Sequence, residues 1–173
     1  MAQDAFIVVD MLNDFIDPQG VLYCGQGARD IIPFVRERLE RSRSRRALVI
    51  FLQDAHDEND REFERFPKHC VAGTWGARVI PELSPRAAET VIVKRRYSGF
   101  FETDLAGTLA RAKVASVEVV GVCTSICVMD TVGGLVNRDY RVVVPARGVA
   151  DFDAEFHAFA LKRIAQTYGA EVV

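Results

Sequence analysis

The sequence predicts an α/β fold of three layers, in which helices cover both faces of a mainly parallel sheet of six strands. Uninterrupted apolar runs rich in valine and isoleucine alternate along the chain with stretches of helical periodicity, which is typical of a parallel sheet buried on both faces. Charged or nucleophilic residues directly follow several of these runs, where such sheets bind their ligands. The 173 residues are expected to form a single domain over 1–173.

The composition excludes several classes of function. The chain is 49% hydrophobic and 27% charged, with a formal net charge of −2, so it is expected to be a soluble protein that binds neither nucleic acid nor a membrane. Its start lacks the basic region of a signal peptide, and no apolar run approaches the roughly 20 residues that span a bilayer. The spacing of its four cysteines indicates neither a disulfide framework nor a zinc knuckle, so reduced thiols in a cytoplasm are expected.

Three strands are predicted in the first half of the chain, each from a short apolar run. They occupy residues 5–9, 47–52 and 90–93. Between the first two, residues 31–45 have apolar positions spaced by four, which predicts a helix with a basic outer side. Residues 54–75 form a long polar stretch of the kind that often carries function. A short helix is predicted over 76–83.

The second half is predicted to add three more strands, the last of them short. They occupy residues 117–120, 141–144 and 170–173. A final helix is expected to begin at Asp151 or Asp153, because aspartate is a favoured helix cap. Its inward face is expected to hold Phe156, Phe159, Ala160 and Ile164.

Four chemically capable residues come just after predicted strands. They are Asp10, Asp54, Lys94 and Cys127. Because the carboxyl ends of parallel strands share one edge of a sheet, we expect these residues to lie close together. Each has a simpler interpretation when taken singly, as a loop-capping acid, a solvated charge or a buried thiol. Their convergence on one edge favours a functional site.

Cys127 is the predicted nucleophile. It follows a strand and a tight turn and lies on the first turn of a helix, where free backbone N–H groups and the helix dipole favour the thiolate. Asp10 would accept the thiol proton if burial raises its pKa, and Lys94 would stabilise the thiolate. The alternative interpretation is that Cys127 is a small core residue.

A second group of residues has the composition of a divalent metal site. Asp54 and His56 alternate in an extended segment, so both side chains can point the same way, and His69 follows 13 residues later. Two imidazoles with carboxylates suit zinc, manganese or iron. The loop carboxylates available to complete the set are Asp57, Glu58, Asp60, Glu62 and Glu64. The alternative is an acidic, solvated loop whose histidines form local hydrogen bonds.

These segments resemble the isochorismatase-like cysteine hydrolases. VDMLNDF at 9–15 is similar to the family's VDMQNDF opening, and KRRYSGF at 94–100 to its KxRYSAF segment. GVCTSICV at 121–128 matches GVCTDICV in all but one position. DAHDEND at 54–60 with FPKHCVAGT at 66–74 is similar to the metal loop of nicotinamidases, DAHEEND followed by FPPHCVxGT. The resemblance covers nearly the whole chain in the same order.

The resemblance implies a role for each of these residues. The implied catalytic triad is Asp10, Lys94 and Cys127. The implied metal ligands are Asp54, His56, Glu62 and His69. The N–H groups of Cys123 and Cys127 would form an oxyanion hole next to a cis Val122–Cys123 peptide. An aromatic slot would be lined by Phe15, Phe66 and Tyr97.

The implied activity is hydrolysis of nicotinamide, and of pyrazinamide, to the acid and ammonia through a thioester. A divalent metal, a small aromatic carboxamide substrate and a homo-oligomer are expected with it. Family members also act on linear amides and on carbamoyl or ureido substrates, and a metal-binding relative without turnover is a third alternative. The chain departs from the family pattern at Leu12, at Ser125 and at the Gly133-Gly134 pair. Ser125 bears on the nucleophile turn, and the glycines bear on helix packing or a subunit contact.

Overall fold

The computed structural model describes residues 3–173, which contain one sheet of seven parallel strands. The strands are β1 (Gln3–Val9), β2 (Leu48–Asp54), β3 (Thr90–Lys94), β4 (Val114–Val122), β5 (Arg141–Val144), β6 (Val149–Ala150) and β7 (Glu171–Val172). The three-layer fold class and the six predicted strands are confirmed. The additional strand is β6, which at two residues is too short to show a hydrophobic period.

The order of the strands creates a crevice at one edge of the sheet. The order is β3-β2-β1-β4-β5-β7, with β6 paired to β4. The chain therefore moves outward from β1 to β3 and then returns to place β4 on the other side of β1, the arrangement at which α/β sheets bind ligands. Val9 at the end of β1 lies opposite Leu52 on one side and Gly121 on the other. The residues that follow β1, β2 and β4 therefore meet.

Helices cover both faces of this sheet. They are α1 (Asn13–Ile16), α2 (Gln26–Asp30), α3 (Ile32–Ser44), α4 (Leu105–Arg111), α5 (Met129–Val136) and α6 (Ala154–Gln166). A π-helical turn, Thr124–Val128, precedes α5, and short 3₁₀ turns occupy Arg61–Glu64, Pro81–Leu83 and Ala146–Gly148. Within the described part of the chain, no helix combines the length and apolarity needed to cross a membrane.

The continuous apolar run of β1 is explained by burial on both faces. Phe6 and Val8 pack in one core layer with Leu39 of α3, whereas Ile7 and Val9 pack in the opposite layer with α4, α5 and α6. Successive side chains of a strand point to opposite faces, so a strand between two helix layers needs apolar residues at every position. Each such side chain contributes about 1.5–3 kcal/mol when fully buried.

The predicted helix over 76–83 is wrong. Only Pro81–Leu83 is helical, as a 3₁₀ turn. Residues 76–78 form a turn and a bend, Val79 forms a β-bridge with Leu12, and the backbone N–H of Ile80 donates to the carbonyl of Met11 at 3.0 Å. Pairing with the chain that leaves β1 therefore replaces helical hydrogen bonds here, and Pro81 has no N–H to continue a helix backwards.

The predicted orientation of α6 is half wrong. Asp153 caps the helix as one of the two expected residues, and Ala160 and Ile164 are buried. Phe156 and Phe159, however, are 59% and 56% exposed. Ala160 and Ile164 are four residues apart on one stripe, and the small alanine lets the helix approach the sheet closely. Phe156 lies four residues before Ala160 on the same row, so the helical period alone does not predict its exposure near the start of the helix.

The paired glycines of α5 serve helix packing, as one of the two predicted alternatives. A Cβ atom at Gly134 would lie 2.5 Å from the ring of Phe100, and one at Gly133 would lie 3.1 Å from the ring of Tyr168. Side chains at these positions would push both rings away. The glycines therefore let two aromatic residues pack directly on the helix backbone.

Candidate active site and metal centre

Asp10 occupies the end of β1 in an unusual backbone conformation. Its φ is +49°, in the left-handed region that non-glycine residues rarely adopt, and its side chain is 1% exposed. Asp10 Oδ1 accepts a hydrogen bond from the backbone N–H of Asp54 at 2.9 Å. This bond ties the end of β1 to the end of β2 and aims the carboxylate into the crevice.

Lys94 joins the strand-end residues into one buried cluster. Its Nζ lies 2.8 Å from Asp10 Oδ2, 2.5 Å from Asp54 Oδ1 and 3.5 Å from Cys127 Sγ. The ammonium donates to Asp54 and to the sulfur, but its approach to Asp10 lacks hydrogen-bond alignment. The structure therefore brings together all four residues that follow predicted strands, although they are up to 117 positions apart.

The pKa values in this cluster follow from burial and from the lysine charge. Burial, reinforced by the negative charge of Asp54, raises the pKa of Asp10 to about 6, against the opposing effect of Lys94. Burial also opposes the charge on Lys94, but Asp10 and Asp54 outweigh it and hold the lysine pKa well above its ordinary value. Asp10 is thus ionised near neutral pH, and Lys94 is protonated.

Cys127 is a buried thiol, so the bias towards the thiolate that was expected from the helix start is not enough to ionise it. Burial raises its pKa well above the ordinary value, and the neighbouring Lys94 only partly opposes that effect. The helix-start position therefore does not by itself ionise the sulfur. A nucleophile of this kind requires a base that takes its proton during the reaction. Asp10 and Asp54 are both carboxylates within 4.8 Å of the sulfur, and the raised pKa of Asp10 makes it the better proton acceptor.

The turn that carries Cys127 is intact despite the serine at position 125. The N–H groups of Ile126 and Val128 both donate to the carbonyl of Cys123, at 3.1 and 3.2 Å. The Val122–Cys123 peptide is cis, as the resemblance implied. Ser125 contributes its backbone N–H, which donates to Asp151 Oδ2 at 2.7 Å.

The implied metal ligands converge beside this cluster. One ligand atom each from Asp54, His56 and His69 lies within 4.8 Å of the other two. His56 Nε2 is 3.6 Å from Asp54 Oδ2, and both His56 Nε2 and His69 Nε2 are 4.0 Å from Glu62 Oε1. His69 Nδ1 lies 2.7 Å from the carbonyl of Pro67. Because a carbonyl only accepts, Nδ1 carries the proton and Nε2 presents its lone pair to the cluster.

The donor set fits a divalent cation. Both ring nitrogens of His56 and Glu62 Oε2 are buried without a hydrogen-bond partner, which is costly unless something else satisfies them. Burial lowers the pKa of His69 and so favours the neutral form that binds metals. Of the loop carboxylates, Glu62 is buried, and the side chains of Asp57, Glu58 and Glu64 are exposed. The Asp60 side chain is also buried, 3.3 Å from His56 Nδ1, but it pairs with Arg96 at 3.0 Å. Nitrogen and oxygen ligands in this number suit zinc, manganese or iron.

A narrow slot connects the metal ligands to the sulfur. Its walls include Phe15, Phe66 and Tyr97, the three aromatic residues that the resemblance implied, together with Phe152. Asp10, Asp54, Glu62, His69, Cys123 and Cys127 also border it. Its volume is ≈30 Å³.

A larger cavity lies at the opposite edge of the sheet. It has a volume of ≈540 Å³, and half of its lining residues are charged, most of them on α3 or directly after it. Its arginines are Arg38, Arg41, Arg45, Arg46 and Arg141. None of the triad residues or metal-ligand candidates borders it. We therefore place the site at the narrow slot rather than at the larger space.

Comparison with known protein families gives a match over nearly the whole chain. The isochorismatase domain matches residues 4–173. The chain belongs to the isochorismatase family. It is thus an isochorismatase-family hydrolase, and the resemblance stated from its motifs is confirmed.

Three relatives from this family are similar over most of their length. The crystal structure of the nicotinamidase/pyrazinamidase PncA from Bacillus subtilis is 32% identical, with 99% of each chain covered and a TM-score of 0.94. The pyrazinamidase of Pyrococcus horikoshii in complex with zinc is 32% identical, with 99% of this chain and 98% of that chain covered and a TM-score of 0.92. A probable inactive nicotinamidase from Arabidopsis thaliana is 34% identical over 88% of this chain and 83% of its own.

Sequence reasoning did not identify two residues at the site. Asp151 contacts the nucleophile turn and Phe152 lines the slot. Both follow the two-residue strand β6, and the available signal was their position next to a helix start, where Asp151 was considered only as a cap. Their contact with the turn depends on the pairing of β6 with β4.

Proposed function

We propose that this protein hydrolyses nicotinamide to nicotinate and ammonia, and pyrazinamide likewise. The observation that carries the proposal is the position of Lys94 Nζ, which lies within 3.5 Å of Asp10, Asp54 and Cys127. A potential base, a nucleophile and a metal-ligand candidate thereby share one buried cluster at the end of a flat aromatic slot. The similarity to the PncA structure and to the zinc-bound pyrazinamidase adds support.

We infer that Asp54, His56, Glu62 and His69 hold a divalent cation. Such an ion would supply a Lewis acid beside the slot, which would polarise a pyridine ring bound there. Phe15, Phe66 and Tyr97 provide flat apolar walls on which an aromatic ring stacks. Together these residues would hold the carboxamide group toward Cys127.

The chemistry begins with transfer of a proton from Cys127 to Asp10. The charge of Lys94 stabilises the thiolate as it forms, because the ammonium lies 3.5 Å from the sulfur in a buried site. The thiolate attacks the carboxamide carbon, and the carbonyl oxygen becomes an oxyanion. We assign its stabilisation to the N–H groups of Cys123 and Cys127, each worth about 2.7–4 kcal/mol in comparable sites.

The second half of the reaction reuses Asp10. Asp10 gives its proton to the departing nitrogen, and ammonia leaves a thioester on Cys127. Asp10 then accepts a proton from a water that attacks the thioester carbonyl, and nicotinate is released as the thiol is restored. A pKa near 6 suits a group that must accept and return a proton near neutral pH.

The test measures release of ammonia by the metal-loaded protein. The substrates are nicotinamide, pyrazinamide and a linear ureido amide, each with and without prior chelation. We expect turnover of the two aromatic amides, loss of that turnover on chelation, and little activity on the linear amide. Activity confined to the linear amide would instead support the alternative of another cysteine hydrolase of this family. Absence of turnover on every substrate would support the non-catalytic alternative.

A further inference from the structure

The segment that joins β6 to α6 is attached to the nucleophile turn. β6 pairs with the end of β4, so that Ala150 lies opposite Val122. Asp151 is the next residue, and its Oδ2 accepts the backbone N–H of Ser125 at 2.7 Å. The register of two short strand ends thus delivers a carboxylate to the turn that contains Cys127.

The Ser125 N–H needs an acceptor from outside the turn. N–H groups at the start of a helical turn have no partner within it, and the carbonyl of Cys123 already accepts from Ile126 and Val128. A carboxylate acceptor forms a short and strong hydrogen bond with such a group. Asp151 therefore supplies an acceptor for an N–H group that the turn's own carbonyls do not satisfy.

A second contact attaches the same part of the chain to the turn. Thr124 is fully buried, and its Oγ1 lies 2.9 Å from Nδ1 of His157 in α6. Two neighbouring residues of the turn, Thr124 and Ser125, are thus held from one side. The triad partners Asp10 and Lys94 come from β1 and β3, which precede the turn in the chain, whereas β6 and α6 follow it.

We propose that Asp151 is a positioning residue for the nucleophile turn. By holding the Ser125 N–H, it fixes the direction of Cys127 Sγ and of the N–H groups that we assign to the oxyanion. The bond involves the backbone at position 125, so it does not depend on the side chain there. This inference uses the proposed function only in the choice of substrate for its test.

Asp153 provides a matched control in the same segment. Its Oδ1 accepts the N–H groups of Glu155 and Phe156 at 2.8 and 2.9 Å, so it caps α6 and stabilises that helix. Asp151→Ala and Asp153→Ala each remove a carboxylate that accepts two backbone N–H groups, because Asp151 accepts from Ser125 and, at 3.4 Å, from Asp153. Only the first removes an acceptor from the nucleophile turn.

The experiment compares wild type, Asp151→Ala, Asp151→Asn and Asp153→Ala in the metal-loaded state. Kinetics with nicotinamide give kcat and KM, thermal unfolding gives Tm, and hydrogen exchange reports the amides of residues 123–128. We expect Asp151→Ala to lower kcat roughly tenfold to a hundredfold, with KM changed less than about twofold because Phe15, Phe66, Tyr97 and the metal-ligand candidates belong to other segments. Asp151→Asn should restore most of kcat, since its amide oxygen still accepts the N–H. Asp153→Ala should lower Tm and keep kcat.

Several outcomes would overturn the inference. Wild-type kcat in Asp151→Ala would do so, as would an equal loss of kcat in both alanine variants. If Asp151→Ala does not fold, hydrogen exchange in the wild type tests the inference instead. A Ser125 amide that exchanges as fast as those of exposed loops contradicts the role of Asp151 as a positioning residue. If wild type does not hydrolyse nicotinamide, the proposed function fails, but hydrogen exchange still tests the role of Asp151. Faster exchange of residues 123–128 in Asp151→Ala than in Asp153→Ala then supports Asp151 as a positioning residue. Equal exchange in the two variants overturns it.

Discussion

The two edges of the sheet carry similar charges in different surroundings. At the carboxyl edge, Lys94, Asp10 and Asp54 are all less than 5% exposed and surround a slot of ≈30 Å³. At the amino edge, Arg38 of α3 pairs with Glu118 of β4, and their side chains are 28% and 18% exposed beside a cavity of ≈540 Å³. Burial of ionised groups opposes stability unless they are fully paired, and strongly shifted pKa values cluster at functional sites. The comparison places the chemistry where charge is buried, not where space is largest.

The largest expected effect follows from removing the sulfur at the carboxyl edge. Cys127→Ala should lower kcat by roughly 10⁴-fold or more, because the remaining groups have no nucleophile to activate. Its metal content, measured by elemental analysis, should stay at the wild-type level, since the metal-ligand candidates are other residues. At the amino edge, Arg41→Ala should leave kcat unchanged. Retained ammonia release by Cys127→Ala would contradict the assignment of the chemistry to the carboxyl edge.

Metal binding gives the second largest effect. Glu62 is buried, whereas Glu58 of the same loop is exposed and pairs with Lys68. Glu62→Gln should weaken zinc binding about tenfold or more, which corresponds to ~1.4 kcal/mol, while Glu58→Gln should bind zinc like wild type. Competition with a metal-sensitive dye measures both affinities. Equal affinities in the two variants would exclude Glu62 as a ligand.

Loss of a cationic side chain should lower the free energy of unfolding more at the carboxyl edge than at the amino edge. Lys94→Met leaves Asp10 and Asp54 buried without their positive partner, so it should cost about 3–5 kcal/mol. Arg38→Met removes a partly exposed pair and should cost at most about 1 kcal/mol. Urea unfolding of both variants at neutral pH measures the difference. Similar losses would show that burial does not separate the edges.

The smallest effect concerns pH at the amino edge. Glu89 is partly buried, which opposes its ionisation, but hydrogen bonds from Arg43 at 2.6 and 2.7 Å hold its pKa below the ordinary value of 4.5. A carboxylate whose pKa is lowered in the folded state stabilises the protein above its unfolded pKa, and that contribution is lost as pH falls through the folded value. The stability difference between wild type and Glu89→Gln should therefore shrink below pH ~4. A difference independent of pH would contradict this.

Most of the sheet and the main members of the site could be predicted from the sequence. The buried strands show as apolar runs, and Asp10 and Lys94 stand at their ends, so the parallel topology is enough to bring them together. The set of metal-ligand candidates was implied by the resemblance to the family, because two histidines in an acidic loop are a weak signal by themselves.

The remainder depends on tertiary contacts that no local pattern encodes. β6 is too short to show a period, so the position of Asp151 against the nucleophile turn could not be inferred. The exposure of Phe156 could not be inferred from the helical period, because Phe156 lies four residues before the buried Ala160 on the same row. The raised pKa of Cys127 arises from complete burial, which the helix-start argument does not include.

The most direct test of the account is identification of the acyl group on the sulfur. Metal-loaded wild type is mixed with excess nicotinamide, quenched in acid during turnover and mapped by peptide mass spectrometry. We predict a nicotinoyl thioester on the peptide that contains Cys127, and unmodified peptides for Cys24 and Cys70. Ammonia release with the acyl group on another cysteine, or with no acylated peptide, would contradict Cys127 as the nucleophile.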